Sequence, residues 1–210
     1  MMVMKLDFKK EYKELYQTKT TPSIINVPEM TFITVDGKGN PNTSQEYKNA
    51  VELLYGLAYT IKMSNKYILD YVVPPLEGFW QIDDKDFKGG GAPILDKSKF
   101  CWKMMLRQPD FVSAEVFEAA KTVLSKKKPE IDVTLARLET MTEGLCVQIM
   151  HIGLYDDEPA TIAVLDQYAV DNGYMIDINE TRRHHEIYIS DPRKTAPEKL
   201  KTVLRHPIKK

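Results

Sequence analysis

In HHEIYISDPR (184–193) polar and apolar side chains alternate, which is the pattern of a half-buried β-strand. Successive strand residues point to opposite faces, so His184, Glu186, Tyr188 and Ser190 share one side and His185, Ile187 and Ile189 the other. The isoleucines mark the core face. Glu186 and Tyr188 therefore face water or a cavity, and the functional question turns on which.

Working outward, KFCWKMMLRQP (99–109) is a second strand that also runs into a proline. The same sequence separation divides Pro109 from Pro192 and Lys103 from Glu186, so the two closing strands align without a gap. Each is preceded by a strand ending in glycine and by a helical stretch: FITVDG in the first half, VQIMHIG in the second. This internal similarity predicts two related strand-helix-strand units with a cleft near their pseudo-twofold axis. The first half is longer by a Pro- and Gly-rich segment, PPLEGFW to KGGGAP, and its glycines 89–91 are expected to form a flap over one end of the cleft.

Local signals fill in the rest. Thr31 to Asp36 reads as a strand, and the helix after it takes Thr43 or Ser44 as its cap, with Tyr47, Val51, Leu54, Tyr55 and Ala58 at helical spacing. EGFWQI reads as a strand and Lys99 to Arg107 as another; Ser113 caps the next helix, whose C-terminal lysines complement the helix dipole. A strand, a turn at Glu143-Gly144 and a further strand follow. The helix after them has Pro159 in its first turn and Gly173 at its end. Residues 1–27 are expected to be a polar lead-in to a single body, 28–210, with repeats at about 28–127 and 133–193 and a charged helix or tail over 194–210.

The chain has 210 residues, and its 29 basic and 30 acidic side chains leave a formal net charge of −1. No global basic field draws in nucleic acid, which is not an expected partner. Cys101 and Cys146 lie in apolar runs without CxxC spacing and read as reduced core residues. The first residues carry charges too often for a signal peptide or membrane span, so a cytoplasmic protein with no membrane partner is expected. HHEIY fails the HExxH pattern because Ile189 stands where the second histidine belongs; adjacent strand residues point apart, and no metal is expected. KGGGAP lacks the Lys-Ser/Thr of a phosphate-binding loop and no G-x-S-x-G is present, so no cofactor or esterase triad is expected.

The chain resembles the GyrI-like small-molecule-binding proteins through TFITVDGKGNP, QIMHIGLYDDEPATIAVLDQYAVDNGY and HHEIYISDPRKTAPEKLKTVLRHPI, the last being the most specific. The resemblance implies an α+β fold, with two pseudo-symmetric strand-helix-strand-strand units forming antiparallel sheets around a central ligand groove. It also implies a role in ligand recognition for the acidic residue on the last strand, matching Glu186. Some relatives are regulator domains that bind lipophilic cations, one branch inhibits gyrase, and a stand-alone branch resembles cyclopropanoid cyclopropyl hydrolases. No helix-turn-helix precedes the body here, so a regulator role is not expected.

That hydrolysis needs a water nucleophile, removal of its proton and stabilisation of charge arriving on a carbonyl oxygen. A carboxylate in an apolar groove suits the proton transfer, which makes Glu186 the candidate base. A phenol, Tyr55 or Tyr188, suits the developing phenolate. Phe79, Trp80, Trp102 and Tyr155 are candidate aromatic walls for a flat lipophilic ligand. Plain packing is the competing role for several: Trp102 alternates with Met104 and Leu106, and Tyr55 shares a helix face with Val51 and Ala58. The same carboxylate and phenols would also serve a non-catalytic binder or sensor, and a gyrase-type interaction protein would need neither.

Overall fold

A computed structural model describes residues 5–82 and 96–210. Two short helices, α1 (Phe8–Glu11) and α2 (Lys13–Tyr16), open the chain. The first unit follows: β1 (Ser23–Lys38), α3 (Gln45–Asn65), β2 (Glu77–Ile82) and β3 (Phe100–Arg107). Helix α4 (Ala114–Lys127) leads to the second unit: β4 (Arg137–Ile152), α5 (Glu158–Asp171), the two-residue β5 (Met175–Ile176), β6 (His184–Tyr188) and β7 (Lys201–Lys209).

Every paired strand runs antiparallel to its neighbour, in the order β4-β1-β3-β2-β6-β7, and β7 pairs back onto β4. The six long strands thus close into a barrel, which leaves none of them as a bare edge. The α+β class and the two strand-helix-strand-strand units are as expected. The internal alignment is not. Unit one orders its strands β1-β3-β2 and unit two β4-β7-β6, so the counterpart of β6 is β2, not β3. The proline correspondence between 109 and 192 was coincidental. Strand β2 lies beside β6 with Gly78 opposite Glu186.

Three further expectations are corrected. Residues 201–209 form β7, buried from Thr202 to Ile208, rather than a charged helix or tail. Their charges misled because Arg205 and His206 are buried and satisfied by distant partners. Glu143-Gly144 is no turn: β4 runs unbroken for 16 residues, and Gly144 bends it with a φ of +70°, a conformation that glycine adopts without steric cost, while the register with β1 is kept. The lead-in is part of the body, because Phe8, Leu15 and Tyr16 are buried against inner-face residues such as Val27, Met105 and Ile187. The proposed 89–91 flap lies outside the described residues.

The long helices pack on the outside of the barrel. Ser44 caps α3 by accepting from the Tyr47 amide at 3.2 Å, and Leu53, Leu54, Leu57 and Ile61 recur on the face that meets β1 and β3. Each such leucine stabilises by roughly 1.5–3 kcal/mol on burial. Helix α5 begins at Glu158-Pro159 and packs Leu165 and Ala169 onto Val147, Ile149 and Leu204. Residues of both helices line a single cleft, whose remaining walls include β2 and β6.

Candidate functional site

The cleft has a volume of about 2010 Å³, above the roughly 300–1,000 Å³ usual for small-ligand sites. Tyr47, Val51 and Tyr55, one face of α3, form one wall. Trp80 and Phe100 stand beside them, with ring centroids 5.5 Å apart. Tyr155 and Glu158 come from the start of α5 and the turn before it, and His184, Glu186 and Tyr188 from β6.

The alternation of β6 puts those last three on the cleft side and leaves His185 and Ile187 buried on the other. Tyr188 Oη donates to Glu186 Oε2 at 2.7 Å and accepts from Trp80 Nε1 at 3.0 Å. Burial first, and then the Glu186 charge, push the Tyr188 phenol well up, so it remains a donor. Tyr155 stands edge-on to Tyr188 at 5.7 Å, and burial together with Glu158 and Glu186 pushes its phenol up to about 12. Gly78 makes room for this group, since a Cβ there would lie 2.9 Å from Trp80 Nε1.

The centre of the site is a pair of carboxyl groups. Glu158 is 5 % exposed and places a carboxylate oxygen within 4.8 Å of one of Glu186. Burial, then the Glu186 charge, raise its pKa well above the usual carboxylate range. The N-terminus of α5 favours the ionised form, by about 0.3–1 kcal/mol. Two carboxylates about 4 Å apart repel by roughly 4 kcal/mol at an effective dielectric near 20, so repulsion outweighs the helix terminus and the pKa of Glu158 rises. Glu158 Oε1 is buried without a hydrogen-bond partner, leaving an acceptor for a water or ligand group.

His184 Nε2 lies 3.1 Å from Glu186 Oε1. One donor atom each from Glu158, His184 and Glu186 fall within 4.8 Å of one another, the donors nearest to a cation-sized grouping among the described residues. Glu186 pairs with His184 and lies beside Glu158.

Of the residues singled out in the sequence, the structure brings Glu186, Tyr55, Trp80, Tyr155 and Tyr188 to the cleft. Trp102 is 1 % exposed in the core beneath α3, edge-on to Tyr47 at 5.3 Å, and Phe79 turns to the inner face, 4.6 Å from His185. Neither lines the cleft. Sequence reasoning passed over Glu158, Tyr47 and His206. An acidic residue beside a proline at a helix start reads as ordinary dipole compensation, and His206 lay in the supposed tail. Tyr47, three residues after the Ser44 cap, carried the one usable signal, an aromatic in line with Tyr55.

An α+β barrel with an aromatic cleft closed on a carboxyl pair defines a protein built to hold a small organic molecule. Comparison with known proteins agrees: residues 20–209 match the GyrI-like small molecule binding domain, and the chain belongs to that family. It is similar to a hydrolase from Listeria innocua, at 46% identity over 98% of this chain and 100% of that one, with a TM-score of 0.87. An uncharacterized conserved protein from the same organism gives 47% identity, 98% and 100% coverage and a TM-score of 0.91. The EcmrR C-terminal domain shares the fold, at 16% identity, a TM-score of 0.54 and coverage of 90% and 98%. No curated protein matches the chain. No helix among the described residues is long and apolar enough to cross a membrane.

Proposed function

We propose that this protein is a hydrolase that binds lipophilic aromatic molecules in the cleft and opens an electrophilic cyclopropane with water, a detoxification of DNA-alkylating compounds. The observation that carries this reading is the Glu158–Glu186 pair, which offers one carboxylate to take a proton and one carboxyl to orient the water. The Listeria innocua hydrolase supports the reaction class.

In a spirocyclopropane fused to a dienone, the water oxygen forms a bond to the cyclopropane CH₂. The ring C–C bond breaks, its electron pair passes into the dienone, and the carbonyl oxygen becomes a phenolate. Glu186 takes the proton from the water. Tyr55, whose phenol is held protonated by burial and by Tyr59, lines the same cleft and donates to the phenolate. Trp80, Tyr155 and Tyr188 hold the aromatic body.

The test incubates wild type, Glu186→Gln and Tyr55→Phe with a duocarmycin-type spirocyclopropane in ¹⁸O-water and follows the product by mass spectrometry. Turnover with heavy oxygen in the product, lost in Glu186→Gln while the ligand still binds, is the expected result. Binding without turnover by the wild type would reject the hydrolase and leave a small-molecule binder. That second reading has its own support, because a part-buried Glu186 among aromatics suits a lipophilic cation.

A further inference from the structure

The site does not end at the cleft. His184 Nδ1 lies 2.7 Å from His206 Nε2, and His206 Nδ1 lies 2.6 Å from Asp166 Oδ1 on α5. With the 3.1 Å bond from His184 to Glu186, four groups stand in one hydrogen-bonded line. We propose that His184, His206 and Asp166 form a proton relay between Glu186 and helix α5, an inference that rests on the hydrolase reading for its purpose but not for its existence.

Counting hydrogens supports the relay. Three bonds need three protons, and two neutral imidazoles supply two, so the line holds one more. Each ring has one nitrogen facing each neighbour. Shifting every hydrogen one place along therefore moves one proton from Glu186 to Asp166 with no heavy atom displaced. Burial first, then His184, lower the pKa of His206 against the pull of Asp166, so this ring passes a proton on rather than keeping it.

The ends of the line fit the purpose. His206 is 4 % exposed at its side chain, whereas the Asp166 side chain is 18 % exposed. After ring opening Glu186 holds the proton taken from water, Glu158 beside it has its pKa raised by burial and by the Glu186 charge, and the product lies in the cleft. Glu186, whose side chain is 14 % exposed to the cleft, then needs a route to solvent that the product does not block. The relay gives it one, and His184 and His206 act through Glu186 as positioning residues.

The test uses protein labelled with ¹⁵N-histidine and compares wild type, Asp166→Asn and Asp166→Glu. An amide in place of a carboxylate on an imidazole imposes the wrong tautomer on the ring. In Asp166→Asn the ring-nitrogen signals of His184, which Asp166 does not touch, are expected to change tautomer along with those of His206. Asp166→Glu restores both. With the spirocyclopropane, kcat should fall by about 10-fold or more in Asp166→Asn at a KM within about twofold. His184 signals unchanged in a folded Asp166→Asn protein would overturn the relay. Loss in KM alone would also overturn it, since that marks a packing role. If the wild type shows no turnover, the hydrolase reading falls, and the His184 signals still decide the relay.

Discussion

His184 and His185 are neighbours on β6, face opposite sides of the sheet, and each lies close to two carboxyl groups. On the inner face, His185 stands 3.0 Å from Glu77 and 2.6 Å from Glu143, and Arg205 reaches Glu143 at 3.4 Å. Tyr16 donates to Glu77 at 3.2 Å, and Arg205 also bonds Gln148. Burial would lower the pKa of His185, but Glu143 and Glu77 outweigh it and raise it. Burial likewise pushes Glu143 up, but His185 and Arg205 overcome it and hold the carboxyl at about 2.

Arg183 and Arg193 line the cleft, but Arg193 pairs with Asp191 and neither arginine is paired with Glu158 or Glu186. Lys97, paired with Asp156, is the cation that acts on Glu158, and it ranks behind burial and Glu186. The inner carboxylates are matched by cations and tie helix α2, β2, β4, β6 and β7 together. On the cleft face Glu186 pairs with His184, and the pKa of Glu158 is raised by burial and by the Glu186 charge. Two faces of one five-residue strand thus carry the structural and the chemical charge of the molecule.

The largest expected effect is on the cleft face. Glu186→Gln should cut the hydration rate by about 10²–10⁴-fold, because base assistance is lost while the shape of the group is kept. Steady-state kinetics with the spirocyclopropane checks it, and a fall of less than tenfold would remove Glu186 from the base role. On the inner face Glu143→Gln should instead cost about 3–5 kcal/mol of stability, since it leaves the buried Arg205 without its carboxylate and His185 with Glu77 alone. Urea unfolding measures this. Folded Glu143→Gln protein should keep its rate, and parallel loss of rate and stability would break the separation of the two faces.

The pH dependence sharpens the same contrast. Glu143 has its folded pKa lowered from the ordinary 4.5 to about 2, so its contribution is complete above the unfolded pKa and fades as pH falls through that interval. Glu158 has the opposite shift. Its contribution is complete below the ordinary 4.5 and is lost as pH rises through its raised folded value. Wild type should lose stability between about pH 4.5 and 2 more steeply than Glu143→Gln, by unfolding at fixed pH. The smallest effect belongs to Trp80→Phe. Removing the Trp80 Nε1 donor to Tyr188 should cost about 0.5–1.5 kcal/mol, read as a few-fold weaker ligand binding by calorimetry.

How far the sequence discloses this molecule varies with the kind of signal. Helix caps at Ser44 and Ser113 and the alternation of β6 are local, and each holds in the structure. Strand β7 was hidden because both of its faces are buried and its Arg205 and His206 are satisfied by Gln148, Glu143 and Asp166, all far away in the chain. Trp102 and Trp80 sit opposite each other in the β2–β3 ladder, yet only Trp80 reaches the cleft, since α3 covers Trp102. Glu158 was missed for a similar reason. Its neighbour Glu186 is brought beside it by tertiary folding alone, and nothing in EPAT marks a carboxyl whose pKa burial and a second carboxylate will raise.

The most direct measurement is the infrared carbonyl band of a protonated carboxyl at neutral pH, recorded for wild type, Glu158→Gln and Glu143→Gln. An uncompensated cleft pair predicts such a band in the wild type, absent in Glu158→Gln and retained in Glu143→Gln. A wild-type spectrum with no protonated carboxyl, or a band that disappears with Glu143 rather than Glu158, would contradict the division of charge between the two faces of β6.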